Sequence, residues 1–405
     1  MLNSIFSEDI KTTKEPILIP SNRISESAKI ISAQATSEQL FKGEMFAQEI
    51  FNSYVTDFEK NKRLHSLGRV DKEDLMVHVS TFLYLDDTIY MTYYANTETD
   101  EEYTPNHLIA RLVYCPKDDV DNKTFIDIQA VGDDCYGGLV ELVYDTVLMQ
   151  KDEHTLYILW TASIAGKYYR LYRSFDVTTK TLGDVQVNKF KVGDIVNDFS
   201  MTGITSALTE NGIGYKNMYS DIGIMQKLSY RIENGEKYYY TGAYSGDFNC
   251  IIKSKDLITW EYVAQPDFLN FSQYENAVYV IDDKCYYFVR QYDDNKYGFL
   301  TYYDLKENKW EKPVLIADCQ SRSDFIVYDG ELYLFFAPVD REHIGIAKID
   351  TNNLADTSVV LQANMHISCF YPFVQYGDDG ELCMSYTIDR KHIRLAKFKL
   401  YKYIV

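Results

Sequence analysis

The sequence predicts an all-β protein and, within that class, a β-propeller. The first observation is a repeat: a short turn followed by an aromatic strand recurs at Gly235, Asp283, Gly330 and Gly380, at successive distances of 48, 47 and 50 residues. Several short strands in a period of about 40–50 residues are typical of propeller blades. The second observation is the composition, because 36 Tyr and 21 Phe accompany only 8 Pro, and aromatic residues favour strands.

A charged motif is repeated near the end of the chain. The pattern D-R-x-H-I-x-x-A-K begins at Asp340 and again at Asp389, 49 residues later. This distance equals one repeat, so the motif predicts the same turn between second and third strands in two successive blades. Both turns would then face the same channel.

The repeat divides the chain into six units, and five or seven blades remain as alternatives. An Asp-Gly or Asn-Gly pair between two strands is a strong hairpin signal. The last unit lacks an outer strand, and "EPILIP" near Pro16 is predicted to supply it, which would close the ring and remove an exposed edge. The predicted units span about 74–132, 138–195, 222–264, 273–317, 322–361 and 366–405.

We expect residues 1–405 to form a single propeller domain with two insertions. The segment "SEQLFKGEMFAQEIF" has apolar residues at helical spacing, so a helix or long loop is predicted at about 37–70. The segment at about 196–221 is too short for a blade and is predicted to be a loop over one face.

The bulk composition excludes some functions. The net charge of −19 disfavours nucleic acids and anionic membrane surfaces. The 7 Cys include no C-x-x-C pair, which indicates reduced, buried thiols. The first residues contain no apolar run typical of a signal peptide, so we expect a cytoplasmic protein. No cofactor is expected to be required, although a structural Ca²⁺ in the central channel is compatible with the sequence, and the oligomeric state is left open.

Polar residues at the starts of first strands and at the ends of second strands should converge on one face of the ring, where every blade can touch a ligand. The candidate catalytic residues, all at first-strand starts, are Asp221, Glu275 and Asp324. The candidate substrate-binding residues are Arg290, Arg322, Asp340, Arg341, His343, Tyr371, Asp389 and Arg390. For each of them the alternative is a structural role, capping backbone groups near a turn or lying in solvent.

These residue types suit the cleavage of an acidic sugar. One protonated carboxyl group can protonate a leaving glycosidic oxygen while a second carboxylate activates water or attacks the anomeric carbon. Clustered Arg side chains bind a substrate carboxylate through paired, charge-assisted hydrogen bonds. His343 follows Arg341 by two residues and could bind a hydroxyl group or transfer a proton.

The run "EKYYYTGAYSGDFNCIIKSKDLITWEYV" at 236–263 resembles glycoside hydrolases of family 43 and their relatives in families 32 and 130. These enzymes share the motif S-x-D-L-x-x-W, here Ser254, Asp256, Leu257 and Trp260, which shapes a blade turn. More loosely the motif is similar to the Asp-box of six-bladed sialidases. The resemblance implies a carbohydrate-active propeller in which Asp221 is the base, Glu275 the general acid and Asp324 the residue that tunes it.

Three functions are therefore predicted, with a carbohydrate as the expected partner. The first is a glycoside hydrolase that acts on a short, acidic oligosaccharide. The second is a lyase that acts on a uronic acid, with Arg side chains neutralising the carboxylate and Tyr or His removing a proton. The third is a propeller that binds sugar without catalysis.

Overall fold

The computed structural model shows a ring of six sheets. It describes residues 12–19, 28–31, 74–102, 107–120, 122–266, 275–290, 296–364, 368–378 and 380–400. In each sheet the strands are mainly antiparallel neighbours in sequence, running from the channel outward. Six predicted units correspond to six sheets, except that residues 189–192, which the second predicted unit included, pair with the third sheet. The predicted all-β propeller fold is confirmed.

The N-terminal half of the chain supplies a first short strand and three sheets. The first strand is β1 (Ile30–Ile31), which joins sheet 4. Sheet 1 contains β2 (Met76–Leu85), β3 (Thr88–Asn96), β4 (Leu108–Pro116) and β5 (Thr124–Ala130). Sheet 2 contains β6 (Asp134–Cys135), β7 (Gly138–Gln150), β8 (Thr155–Ile164), β9 (Lys167–Asp176), β10 (Thr181–Leu182) and β11 (Gln186–Val187). Sheet 3 contains β12 (Lys189–Val192), β13 (Ile195–Asp198), β14 (Ile222–Ile224), β15 (Ser229–Glu233), β16 (Glu236–Ser245), β17 (Phe248–Ser254) and β18 (Thr259–Ala264).

The C-terminal half supplies the remaining three sheets. Besides β1, sheet 4 contains β19 (Asn276–Ile281), β20 (Lys284–Val289), β21 (Gly298–Asp304), β22 (Lys309–Trp310) and β23 (Val314–Ile316). Sheet 5 contains β24 (Gln320–Tyr328), β25 (Glu331–Ala337), β26 (His343–Ile349) and β27 (Ser358–Asn364). Sheet 6 contains β28 (Cys369–Tyr376), β29 (Leu382–Ile388) and β30 (His392–Phe398). The helices among the described residues are α1 (Met201–Glu210) and a short 3₁₀ helix (Leu354–Asp356).

Neighbouring sheets pack face to face around the ring. Apolar side chains of adjacent sheets form one hydrophobic cluster at each interface, including the one between sheets 6 and 1. Hydrogen bonds between neighbouring sheets add to this packing, and Ser80 Oγ lies 3.1 Å from Ser385 Oγ where the last sheet meets the first. The ring is therefore closed by side-chain packing, as the alternating apolar pattern of the strands requires.

Closure does not use the strand that we predicted. Residues 17–19 run alongside Tyr215, with Ile19 N donating to Tyr215 O, and do not pair with sheet 6. The N-terminal strand that does join a sheet is β1, which lies parallel to β23 at the outer edge of sheet 4. The prediction failed because any short apolar segment can complete an outer edge, so its sequence does not specify which sheet it joins.

The segment predicted as a loop at about 196–221 is instead partly regular. It contains most of β13 and all of α1, whose first turn is capped by Ser200 Oγ accepting from Gly203 N. Ile204 and Leu208 of this helix are buried against β12 and β13, so the apolar spacing of a short amphipathic helix explains the difference. The other predicted insertion, at about 37–70, lies entirely outside the described residues.

The S-x-D-L-x-x-W motif forms the turn between β17 and β18. Asp256 Oδ1 accepts hydrogen bonds from the backbone N–H groups of Ile258 and Thr259 at 2.8 and 2.7 Å. Leu257 has a positive φ of 63°, and its N–H donates to Ser254 Oγ. Trp260 is fully buried in the interface between sheets 2 and 3. The motif therefore has the structural role that the resemblance implies.

The repeated D-R motif forms the turn between the second and third strands of sheets 5 and 6, and each turn hydrogen-bonds to the next sheet. Arg341 and Arg390 both have positive φ, at 61° and 53°. The carbonyl group of Arg341 accepts from Cys369 N, and that of Arg390 accepts from Val77 N. Each turn thus fixes the start of the next first strand, which explains the repeat spacing without any catalytic role.

Two further features concern the cysteine side chains and the length of the helices. All seven cysteines are buried, as predicted. Within the described ranges, no helix is long and apolar enough to cross a membrane.

Candidate active site

A cavity of about 650 Å³ lies at the end of the channel where the first strands begin. Every sheet contributes to its wall. The polar or aromatic lining side chains include Tyr94, Glu102, Tyr144, Asp145, Tyr168, Tyr219, Ser220, Asp221, Tyr244, Glu275, Arg290, Arg322 and Tyr371. Five of the eleven predicted site residues are in this wall, namely Asp221, Glu275, Arg290, Arg322 and Tyr371.

Bulges in the first strands direct side chains into the cavity. In sheets 1, 2, 5 and 6 the pairing of the first strand shifts near its start. At each shift a residue other than glycine has positive φ: Val79 at 54°, Asp145 at 54°, Ser321 at 72° and Tyr371 at 57°. Such conformations are costly, above all for β-branched Val79, and β-bulges are common beside active sites because they re-aim side chains.

Asp145 is the centre of a buried ionic cluster. Arg322 Nη2 contacts its Oδ1 atom, and Tyr244 donates to its Oδ2 atom at 3.1 Å. Arg170 Nη1 lies 3.4 Å from the same Oδ2 atom and donates to the Asp145 carbonyl group at 2.6 Å. Burial raises the pKa of Tyr244, with Asp145 adding to the effect, so the phenol keeps its proton and donates. The cluster fixes Arg322 in the wall.

Glu275 joins sheets 4 and 5 across the cavity. Its carboxylate contacts Arg290 Nη1 and lies 3.5 Å from Arg322 Nε. Both guanidinium groups are almost completely buried, at 4% and 2% exposure. Arg322 Nη1 is also buried and has no hydrogen-bond partner among the described residues. A buried guanidinium N–H group without an acceptor is costly, which indicates that a ligand accepts from it.

Tyr371 and His78 stack beside these Arg side chains. Their ring centroids are 4.4 Å apart at an interplanar angle of 21°, and the Arg322 guanidinium lies 5.2 Å from the centre of the Tyr371 ring. Burial lowers the pKa of His78, and Arg390 and other Arg side chains lower it further, so its imidazole is neutral near pH 7. Burial also raises the pKa of Tyr371. This part of the wall is thus aromatic and uncharged.

Asp221 differs from the other acids because it lacks an ion pair among the described residues. It precedes β14 and contacts Tyr144 and Ser220. Burial, together with the negative charges of Asp145 and Glu275, raises its pKa to about 6. A carboxyl group with such a pKa can hold a proton near neutral pH and release it to a substrate.

The two repeated Arg side chains lie above the cavity wall in different electrostatic settings. Their guanidinium groups are 4.9 Å (Arg341) and 5.0 Å (Arg390) from the centre of the Phe370 ring. Arg390 Nη2 forms an ion pair with Glu102 at 3.1 Å. Arg341 Nη1 donates to Ser321 Oγ at 2.8 Å, and no carboxylate among the described residues pairs with it. Arg341 therefore carries an uncompensated charge near the cavity.

The remaining predicted residues do not line the cavity, which corrects their predicted placement. Asp324 is fully buried in the channel, where it forms an ion pair with Lys227 at 2.9 Å and accepts from Val374 N. Burial raises the pKa of Asp324 and lowers that of Lys227. The bulge between Gln320 and Asp324 explains the difference, because it turns Arg322 to the cavity and Asp324 away from it.

Three predicted residues in or beside turns, Asp340, His343 and Asp389, also lie outside the cavity wall. Asp340 Oδ2 contacts His343 Nδ1 at 2.8 Å within its own turn, and its Oδ1 atom accepts from Glu342 N. Asp389 is an exposed turn residue with a positive φ of 48°. The contact of Asp340 with Glu342 N has the capping role that was the alternative for this residue.

Sequence reasoning missed several residues of the wall, notably Asp145, Tyr244 and Glu102. Asp145 interrupts the apolar run "GLVELVYDTVLMQ" of β7, and Asp is depleted in strands, so its occurrence there is a usable signal. Glu102 lies in a turn after β3, and no pattern in the sequence distinguishes it from neighbouring acids. The described residues contain no group of three or more His, Cys, Asp or Glu side chains that could hold a metal ion.

Comparisons with known proteins show similarity in structure only. The sequence matches no protein-family model and no curated protein. The NanB sialidase of Streptococcus pneumoniae has a TM-score of 0.51 and 9% identity, over 88% of this chain and 71% of that chain. A second sialidase has a TM-score of 0.51 and 11% identity, over 92% of this chain and 35% of that chain. A protein of unknown function from Dyadobacter fermentans has a TM-score of 0.50 and 13% identity, over 80% of this chain and 93% of that chain.

At these identities the similarity shows the fold alone. It agrees with the looser of the two resemblances, since two of the three proteins are sialidases. The three do not include a named family 43 enzyme, so that resemblance stays a prediction.

Proposed function

We propose that this protein is a carbohydrate-active enzyme that hydrolyses a glycosidic bond in an acidic oligosaccharide, in the central cavity. The observation that carries the proposal is a juxtaposition in one wall: the carboxyl group of Asp221, with a pKa of about 6, and the guanidinium group of Arg322, with a buried, unpaired Nη1 atom. The first can supply a proton and the second can bind an anion. Similarity in fold to sialidases is compatible with this activity.

The charge balance of the wall favours an anionic ligand. Arg170, Arg290 and Arg322 face the carboxylates of Asp145 and Glu275, and Arg390 is balanced by Glu102. Arg341 adds another positive charge. When Asp221 is protonated, the cationic groups exceed the anionic ones, although the chain as a whole has a net charge of −19. A substrate carboxylate fits this local excess through paired hydrogen bonds from guanidinium groups.

In the proposed reaction Asp221 is the general acid. Its proton passes to the glycosidic oxygen as the bond from that oxygen to the anomeric carbon breaks, and a water molecule adds to the anomeric carbon. Glu275 is the second carboxylate, held in place by Arg290 and Arg322, and it accepts the proton of that water. These roles exchange those that the family resemblance implies, because Glu275 is ion-paired whereas Asp221 is not.

Elimination in a uronic acid is the second candidate, and the His78–Tyr371 pair favours it. The phenol of Tyr371 lines the cavity beside Arg290 and Arg322 and stacks on the neutral imidazole of His78, which is fully buried behind it. Tyr371 is therefore the group of this pair that could exchange a proton with a sugar whose carboxylate is bound by the Arg side chains. His343, which the sequence suggested for this role, lies outside the cavity wall.

Product analysis tests the proposal. The protein is incubated with sialylated, glucuronate-containing and neutral oligosaccharides, and the products are followed by reducing-end assay, ultraviolet absorbance and mass spectrometry. We expect reducing ends, a mass gain of one water and a preference for acidic substrates. An unsaturated uronate that absorbs in the ultraviolet would instead support elimination. No cleavage of any acidic oligosaccharide, or a preference for neutral ones, would contradict the proposal.

A further inference from the structure

A second cavity, of about 390 Å³, lies at the end of the ring opposite the candidate active site. Gln150 and Gln375 reach it from the ends of the first strands of sheets 2 and 6. Gln226 reaches it from the interruption between β14 and β15. We propose that this cavity binds a neutral saccharide, in a site separate from the central cavity.

Gln226 is the residue that most strongly indicates a ligand. Its side chain is 3% exposed and lines the cavity. Its Oε1 atom is buried without a hydrogen-bond partner among the described residues. Burying an amide oxygen without a donor is costly, so its retention at this cavity indicates a partner that donates to it. A sugar hydroxyl group is such a donor.

The amides of Gln150 and Gln375 extend this polar surface. Gln150 Nε2 donates to Asp152 O at 3.2 Å, which fixes the side chain and leaves Oε1 to accept. Gln375 is half-buried at the same cavity. A primary amide offers donor and acceptor groups side by side, which matches two adjacent hydroxyl groups, since each of these can both donate and accept.

Apolar side chains form the rest of the wall. Leu83, Leu148 and Leu228 line it together with the ring of Tyr239. Saccharides present C–H faces between their hydroxyl groups, and an apolar surface with one aromatic ring packs against such faces. Amides beside aliphatic and aromatic groups therefore suit a sugar better than a fully polar or fully apolar ligand.

The charged groups at this cavity favour a neutral ligand. Lys151 and Lys237 are matched by Asp152 and Glu153. The Lys237 nitrogen lies 4.5 Å from the centre of the Tyr239 ring, and the Asp152 carboxylate accepts from the backbone N–H groups that follow it in the turn. These charges thus balance and are engaged within the protein, in contrast to the excess of guanidinium groups in the central cavity.

Binding by the whole chain tests the proposal. The probes are the methyl glycosides of glucose, galactose, mannose, xylose and N-acetylglucosamine, measured by saturation-transfer NMR and calorimetry. We expect saturable binding of at least one of them and a rise in Kd of at least about 10-fold in Gln226→Leu, since about 1.4 kcal/mol of hydrogen bonding corresponds to that factor. Gln375→Leu is the second variant if Gln226→Leu does not fold.

Two controls separate this site from others. Gln362→Leu removes another buried amide, in β27 of sheet 5, and should leave Kd unchanged. Asp221→Asn, in the central cavity, should also leave Kd unchanged, so loss of the proposed hydrolase activity has no bearing on this result.

The proposal is overturned if no probe binds saturably, if Gln226→Leu and Gln375→Leu bind as the unmutated protein does, or if Asp221→Asn abolishes binding. Binding of N-acetylalanine methylamide in preference to every sugar would assign the cavity to peptides and overturn it as well.

Discussion

Arg322 and Asp145, 177 residues apart in the sequence, form an ion pair in the wall of the central cavity. The pair joins sheets 2 and 5 across the channel, and each partner lies at or next to a bulge with positive φ. The Arg322 Nη2 atom is occupied by Asp145, whereas its buried Nη1 atom has no hydrogen-bond partner among the described residues and is the donor that we propose for a substrate anion.

Arg322→Lys should weaken the binding of acidic substrates. A lysine keeps the charge beside Asp145 but cannot offer a second N–H group in the same plane. We expect KM for an acidic oligosaccharide to rise at least about 10-fold, with a smaller change for a neutral one. Arg111→Lys is the matched control, since Arg111 is equally buried in an ion pair with Asp74 outside the cavity. Equal effects of the two variants on KM would refute the assignment.

The two repeated Arg side chains provide a matched pair of their own. Arg390 is neutralised by Glu102, whereas Arg341 faces no carboxylate among the described residues. Arg341→Gln should therefore raise KM for an acidic substrate by roughly 10-fold and Arg390→Gln by less, as steady-state kinetics will show. Both backbone carbonyl contacts are retained, so thermal unfolding should change little in either variant. A larger effect of Arg390→Gln would contradict the electrostatic argument.

Asp221→Asn should stabilise the protein at high pH. The pKa of Asp221 in the folded chain, about 6, lies above its ordinary value, so its stabilising contribution is present below about pH 4 and is lost as the pH rises through about 6. The asparagine has no such dependence. We expect the difference in free energy of unfolding between variant and unmutated protein to grow by on the order of 1–3 kcal/mol between about pH 4 and pH 8, measured by urea unfolding. A difference that does not vary with pH would count against the raised pKa.

Lys227→Met should destabilise the channel, because it leaves the Asp324 carboxylate buried without its partner. Removing one member of a buried ion pair costs about 3–5 kcal/mol, whereas replacing both members by apolar residues is often nearly neutral. The double variant Lys227→Met/Asp324→Leu should therefore recover much of the lost free energy of unfolding, although Val374 N then loses its acceptor. Chemical denaturation of the three proteins measures this. If the double variant were as unstable as Lys227→Met, the ion pair would not be the cause.

The sequence predicts the sheets of this protein better than its site. Turn pairs such as Asp329–Gly330 and the aromatic strands after them locate the hairpins, because both signals are local. The placement of Asp324 could not be predicted, since a bulge of one residue reverses which side chains face the cavity. Asp145 also lies at such a bulge and was missed for the same reason. Glu102 was missed because its position depends on a tertiary contact with Arg390.

The sheet that the N-terminal strand joins could not be predicted either, for a different reason. A segment that pairs with the outer edge of a sheet needs little more than β-propensity. Ile30–Ile31 and residues 17–19 could therefore each have paired with the outer strand of several sheets. By contrast, the repeated motif forms the same turn between the second and third strands of two successive sheets, as predicted, and the carbonyl groups of Arg341 and Arg390 both accept from the next first strand.

The most direct test of the central claim compares Asp221→Asn with the unmutated protein on two substrates that differ only in the leaving group. One carries a natural sugar leaving group, which needs protonation, and the other carries a nitrophenolate, which does not. If Asp221 is the general acid, kcat/KM should fall by about 10²–10⁴-fold on the first substrate and far less on the second. Equal losses on both substrates, or none on the first, would contradict the account.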